Sequence, residues 1–320
     1  MIKKTFTIYF LFQLCLAADG ERITFTSANP FSYYHVITDL ENQEPQQVYG
    51  ILRFPEGSDP KNLPLVVGIN GSKNWADHHY EYMDMYREMG FATFEQYSFN
   101  SRNVKATVGE QVSVTTAMMI LDAYRGLDEL IQDPRIDPRR VAVTGWSLGG
   151  GVALFSAWMP VIEAIAPEGR FAAHLSFYPP CMFDMELIEF SEAPIHILTG
   201  ELDDWVPADA CEDLAADLMA EGVNIGITVY PNAHHGFDRE GPLSVAEKGY
   251  TASGCHFRMR GDGALLMNFL NIPMITPFRQ KIALAFCAGR GPTIGGNPEA
   301  RKASFEFAKE FMKEHLLSAE

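Results

Sequence analysis

The stretch Val141-Ala142-Val143-Thr144-Gly145-Trp146-Ser147-Leu148-Gly149-Gly150-Gly151-Val152 decides how this chain is read. Val141 to Trp146 is a short apolar run of the kind that forms a strand buried on both faces. Val152 to Trp158 can be helical, so Ser147 falls at a tight turn between strand and helix. In such a turn flanking side chains would collide, and glycines on both sides let the backbone close and push the serine Oγ outward. The amino end of the helix then offers the Leu148 N–H to a developing negative oxygen. Alone the pattern is weak, because at ordinary glycine and serine abundance it arises by chance in about one chain in ten of this length. Its surroundings raise it.

Working outward, short strand-like runs alternate with helical patterns. Val48 to Phe54, Leu65 to Ile69, Phe91 to Tyr97, Ala172 to Tyr178, Ile195 to Thr199 and Ile225 to Tyr230 read as further strands. Thr107 to Gln132 carries Val112, Thr116, Met119, Ala123, Leu127 and Leu130 at helical spacing, which predicts a helix with one core-facing stripe. Pro207 to Glu221 repeats the pattern with Cys211, Leu214, Ala215 and Leu218 before Gly222, and Asn297-Pro298 opens a last helix with Phe305, Ala308 and Met312. This order predicts an α/β fold, a mostly parallel central sheet with helices on both faces and binding groups in loops at the carboxyl ends of strands. Phe237 to Gly296 is less regular and reads as an excursion over the site.

A serine is inert without a base, and the base needs an orienting carboxylate. Ile195 to Thr199 runs into Gly200-Glu201-Leu202-Asp203-Asp204, and Ile225 to Tyr230 into Pro231-Asn232-Ala233-His234-His235-Gly236-Phe237. Each group lies just past a strand end, in the chain order Ser, Asp, His. Taken singly, the acids also suit helix capping and the histidines a solvated loop. A second oxyanion donor is expected from Asn70-Gly71-Ser72-Lys73, after the strand Leu65 to Ile69, with the Ser72 N–H the leading candidate.

Composition sets the class. The 320 residues are 47% apolar and 21% charged, with 22 Phe, which is a globular profile rather than a disordered one. The formal charge of −16 does not supply the basic surface that a nucleic-acid binder needs. Lys3 and Lys4 precede an apolar run from Phe6 to Leu16 and small residues at Ala17 and Ala18, the pattern of a signal peptide over residues 1–18. The run is shorter than the roughly 20 residues of a membrane-spanning helix. Its removal takes away Lys3, Lys4 and Cys15, which makes the charge −18 and leaves Cys181, Cys211, Cys255 and Cys287. The expectation is a single domain over 19–320, periplasmic or secreted, with no membrane span in the mature chain.

Other motifs do not hold up. Gly289-Arg290-Gly291-Pro292-Thr293-Ile294-Gly295 imitates a dinucleotide loop, but Pro292 and Pro298 break the helix that would have to follow. The adjacent pairs His78-His79 and His234-His235 are poor metal pairs, since neighbours do not share a face of a helix or strand. Neither a metal nor another cofactor is expected.

Gly145-Trp146-Ser147-Leu148-Gly149-Gly150, Gly200-Glu201-Leu202-Asp203-Asp204-Trp205-Val206-Pro207 and Ala233-His234-His235-Gly236-Phe237 together resemble the dienelactone hydrolase family of α/β-hydrolases, across nearly all of the mature chain. Ser98 to Arg102 and Thr293 to Pro298 are similar to stretches of its secreted members. The resemblance implies the α/β-hydrolase fold, Ser147 as nucleophile, Asp203 as acid and His235 rather than His234 as base. The chain departs from the name-giving lactone hydrolases by carrying serine where they carry cysteine, and Asn70 where many relatives have histidine. A serine with a base suits ordinary carboxylic esters, so a small-molecule ester is the expected substrate. A peptidase or polymer esterase using the same triad, and a non-catalytic binding protein on the same fold, are the alternatives.

Cys181, just past a strand, and Cys211, in the first turns of the helix after the acid loop, both belong near the site rim. They are expected to form a disulfide, with Cys255 and Cys287 paired by elimination and by their place in the irregular segment. Trp146 and Trp205, beside the nucleophile and the acid, are expected to wall the site. Arg102, beyond the strand Phe91 to Tyr97, is expected to reach the pocket and meet a substrate carboxylate, a structural ion pair being the other reading.

Overall fold

The structure is a computed structural model that describes residues 20–267 and 269–317, so the expected signal peptide lies outside the described residues. Eight strands form the main sheet: β1 (Glu21–Ala28), β2 (Pro45–Arg53), β3 (Leu63–Ile69), β4 (Ala92–Gln96), β5 (Ile136–Trp146), β6 (Ala173–Phe177), β7 (Ile195–Gly200) and β8 (Ile225–Tyr230). They lie in the order β1-β2-β4-β3-β5-β6-β7-β8. Only the β1–β2 and β2–β4 pairings are antiparallel; every pairing from β4 to β8 is parallel. The central strands are continuously apolar because helices cover both faces. Leu65, Val67, Val141 and Val143 pack on the side of the helices Thr116–Leu130 and Leu148–Phe155, while Val66 and Ala142 pack with residues of Asp77–Glu88 and Pro298–Leu317 on the other.

Two elements differ from the sequence reading. The helix expected from Thr107 begins only at Thr116, because the Thr115 hydroxyl caps it by accepting the Met118 N–H. The preceding residues form turns in which the Glu110 carboxylate accepts the N–H groups of Val112 and Ser113, so Val112 lies outside the helix. Strand β1 was not anticipated. It is an edge strand with Phe25 as its main core contact, and its alternation of Ile23 and Phe25 with Thr24 and Thr26 is the period-two signal that marks it.

The excursion after β8 is partly ordered by short pairings. Ser244–Val245 pairs with Thr293–Ile294, and Tyr250–Thr251 with Gly289–Arg290, so the would-be dinucleotide loop closes the base of a flap. Between them, Phe257–Met259 bridges Leu265–Leu266 and Phe183–Met185, and a helix spans Pro277–Cys287. Disulfides join Cys181 to Cys211 and Cys255 to Cys287, the expected pairings. Two disulfides fit an oxidising compartment.

Buried histidines give the fold a definite response to acid. His174 accepts no room for solvent and contacts Ser156 Oγ and the Ala153 carbonyl; burial pushes its pKa down to about 4. Burial lowers His78 and, still further, His79. Unfolded, these rings protonate near pH 6.5. Between pH 6.5 and about 4 the unfolded chain therefore binds more protons, so this stability is complete above pH 6.5 and is lost as pH falls. The urea midpoint should drop steadily from pH 7 to pH 4.5, with His174 contributing about 1 kcal/mol per pH unit, and His174→Gln should flatten that slope.

Candidate active site

Ser147 sits between β5 and the helix Leu148–Phe155 with φ 57° and ψ −113°, a conformation that non-glycine residues rarely adopt. The turn is possible because its neighbours lack side chains. A Cβ at Gly145 would lie 2.1 Å from the Gly149 carbonyl oxygen, and one at Gly149 would lie 2.2 Å from that of Ile69. Both obstacles are backbone, which cannot step aside. The Ser147 N–H donates to the Phe177 carbonyl at 2.9 Å, which pins the turn to β6.

The acid loop leaves β7 at Gly200 and folds back through the Asp203 N–H on the Gly200 carbonyl. Asp203 is buried. Its Oδ1 accepts the N–H groups of Trp205 and Val206 at 2.9 and 3.0 Å, leaving Oδ2 free to meet His235 Nδ1 at 2.8 Å. That carboxylate fixes the proton on Nδ1, so His235 Nε2 faces Ser147 Oγ at 2.9 Å as an acceptor. Asp204 has a different role: its carboxylate accepts from the Thr293 N–H and hydroxyl, tying the acid loop to the flap base. The His235 backbone carbonyl accepts from Gly295 N, so the same base holds the histidine loop.

The His235 ring lies 4.8 Å from Trp205 and meets Tyr178 edge-on at 4.6 Å. Tyr178 donates its hydroxyl to Asp238 Oδ1 at 2.8 Å, and Trp146 donates its indole N–H to Oδ2 at 3.0 Å. The fully buried Asp238 thus holds the ring on the histidine and the residue before the serine. Burial, and then the Asp238 charge, push the Tyr178 hydroxyl well above its usual range, so it stays a donor. Sequence reading missed this pair; the nearest signal was Asp238 itself, an acid directly after Phe237 at the end of the histidine loop.

Two cavities meet at Ser147, with Ser72 and Trp205 bordering both. The larger, about 200 Å³, is walled mainly by apolar side chains, among them Leu148, Met182, Phe183, Val206, Phe257 and Leu284. The smaller, about 50 Å³, holds Lys73, His78, Arg239, Trp146 and His235. Leu148 opens its helix at the serine turn. The Ser72 carbonyl accepts from Thr107 N at 2.8 Å, which ties the loop after β3 to the segment that precedes the helix Thr116–Leu130.

Arg102 is elsewhere. Its guanidinium binds both oxygens of the buried Asp122, at 2.6 and 3.0 Å, and also bonds Asn29 Oδ1 and the carbonyls of Ala28 and Ser98. It borders neither cavity, and the expected substrate contact is replaced by a structural ion pair. Donors shared between a buried carboxylate, an amide oxygen and two backbone carbonyls leave the side chain no freedom to turn toward a ligand.

The sequence profile of the dienelactone hydrolase family matches residues 83–254. The chain belongs to that family. Among curated proteins it is 27% identical over 154 residues to the uncharacterized peptidase YuxL of Bacillus subtilis, a match covering 38% of this chain and 22% of that protein. It is 29% identical over 106 residues to a candidate carboxymethylenebutenolidase of Yersinia pestis, covering 32% and 39%. The chain thus spans less than half the length of these relatives. Among solved structures, the butyrate-bound esterase of Thermogutta terrifontis superposes with a TM-score of 0.53 at 15% identity, over 70% of this chain and 87% of that one, a likeness of fold.

Because Arg102 neutralises a buried acid, Arg102→Gln should cost about 3–5 kcal/mol of stability. Urea denaturation reads that loss. For the protein that remains folded, KM toward carboxylate-bearing and neutral esters should be unchanged; a rise confined to the carboxylate-bearing ones would return Arg102 to the pocket.

Proposed function

We propose that this protein hydrolyses small carboxylic esters through Ser147, His235 and Asp203 by way of an acyl-enzyme. The observation that carries the reading is the continuous chain from Ser147 Oγ to His235 Nε2 and from Nδ1 to Asp203, opening on an apolar cavity. As Oγ attacks the ester carbonyl, His235 Nε2 takes its proton, and the carbonyl π electrons move to the oxygen. The N–H groups of Leu148 and Ser72 receive that oxyanion. Collapse breaks the C–O bond, and the Nε2 proton passes to the departing alcohol. A water then repeats the cycle: His235 removes its proton, the hydroxide attacks the acyl carbon, and Ser147 leaves with the proton returned. Asp203 stays ionised and holds the imidazolium formed in each half.

The apolar wall of the larger cavity and the acidic balance of the chain favour neutral esters. Lys73 and Arg239 in the smaller cavity favour a second reading, an ester with a carboxylate on the group seated there. The signal-peptide pattern and the two disulfides support a periplasmic or secreted site of action.

Purified protein should hydrolyse short p-nitrophenyl esters, and Ser147→Ala should lower kcat by about 10⁴-fold or more. Undiminished turnover in that variant would remove Ser147 from the reaction. A panel of matched neutral and carboxylate-bearing esters, with one peptide amide, separates the substrate readings by kcat/KM.

A further inference from the structure

The most exposed large apolar side chains among the described residues are Leu270, 81% exposed, and Phe278 and Phe286, each 72% exposed. All three lie in the flap. Leu270 stands at a turn where it and Asn271 both have positive φ, 56° and 49°, an unfavourable conformation that projects an apolar side chain into water. Phe269, next to it, packs on Phe286 with ring centroids 4.7 Å apart, which places the turn against the helix Pro277–Cys287. Phe278 and Phe286 are eight residues apart and so share one side of that helix. The Cys255–Cys287 disulfide holds its end.

The opposite side of the same helix faces the site: Gln280 and Leu284, with Met274 and Leu265, line the larger cavity beside Ser147. The helix is therefore a wall with substrate space behind it and exposed aromatic surface in front.

Charge identifies what the front meets. From Gly263 to Pro298 the sequence contains no Asp or Glu, in a chain with 41 of them, yet it carries Arg279, Lys281 and Arg290. Arg279 and Lys281 are exposed between the two phenylalanines, and neither is held in an ion pair among the described residues. Aromatic side chains flanked by cations, on a helix lying along a surface, match the chemistry of an anionic lipid interface: the rings enter the acyl boundary and the cations stay at the headgroups. We infer that the flap helix Pro277–Cys287 and the Leu270 turn dock this protein on an anionic lipid surface, from which an apolar ester reaches the cavity behind the helix. The docking stands by itself, whereas the entry of an ester rests on the hydrolase reading above.

Sedimentation of the full purified chain with vesicles of phosphatidylcholine alone, or with a third phosphatidylglycerol, tests the docking. Binding to the anionic vesicles is expected, at least tenfold weaker to the neutral ones and weakened by 0.5 M salt. Phe278→Ser/Phe286→Ser should lose tenfold or more, as should Arg279→Gln/Lys281→Gln, a pair that leaves the apolar contacts untouched. Both variants share residues 1–19 with the parent, so the difference reports the flap. Both should keep parental kcat/KM on a soluble short-chain ester, a readout that also confirms folding. No binding by the parent, or equal binding by both variants, overturns the inference. So does a parental dimer at micromolar concentration that the phenylalanine variant dissolves, since a second copy would then cover the patch. Ser147→Ala should bind vesicles like the parent; binding by a protein inactive on every ester would leave the docking intact and overturn the hydrolase reading instead.

Discussion

The rest of the site depends on one close approach of backbone to backbone. At the end of β5 the chain reverses so tightly that the Ile69 carbonyl lies where a Gly149 side chain would begin, and the Gly149 carbonyl where a Gly145 side chain would. That contact forces Ser147 into its positive-φ conformation and sets Oγ above the carboxyl edge of the sheet. Because parallel strands end together at that edge, the loops after β7 and β8 arrive beside the serine without further design. Asp203 and His235 need only short reaches to join it.

The sequence made much of this legible for physical reasons. Continuous apolar runs report strands covered on both faces, and Val141 to Trp146 is one; the glycines around Ser147 report the absence of room for side chains. Spacing and residue type do not separate Asp203 from Asp204, both short acids in a turn; only the family resemblance singles out Asp203. The separation lies in three dimensions: Asp203 accepts two backbone N–H groups and meets His235, while Asp204 binds Thr293 from the flap. Arg102 failed as a pocket residue for the same reason. Its partner Asp122 is twenty residues along the chain, inside a helix whose apolar stripe, not its one buried acid, dominates the pattern. The flap was legible only as irregular, since apart from the helix Pro277–Cys287 it is built from pairings two or three residues long and a disulfide.

Acidic and apolar features now divide by location. All 41 Asp and Glu lie outside Gly263 to Pro298, the part of the flap that holds Leu270 and the helix Pro277–Cys287. Around Ser147 and His235, the buried Asp238 fixes Tyr178 and Trp146, so the ring on His235 and the residue before Ser147 are held by one carboxylate on the side away from the larger cavity. The larger cavity is free to accept an apolar group, and the flap helix is its outer wall.

The central claim is that Ser147 is a nucleophile made reactive by its contact with His235. Intact-mass and peptide mapping after treatment with a fluorophosphonate tests it most directly. The account predicts one adduct per chain, on the peptide containing Ser147, and a labelling rate reduced by two or more orders of magnitude in His235→Ala. Labelling at another serine, or an unchanged rate in that variant, would contradict it.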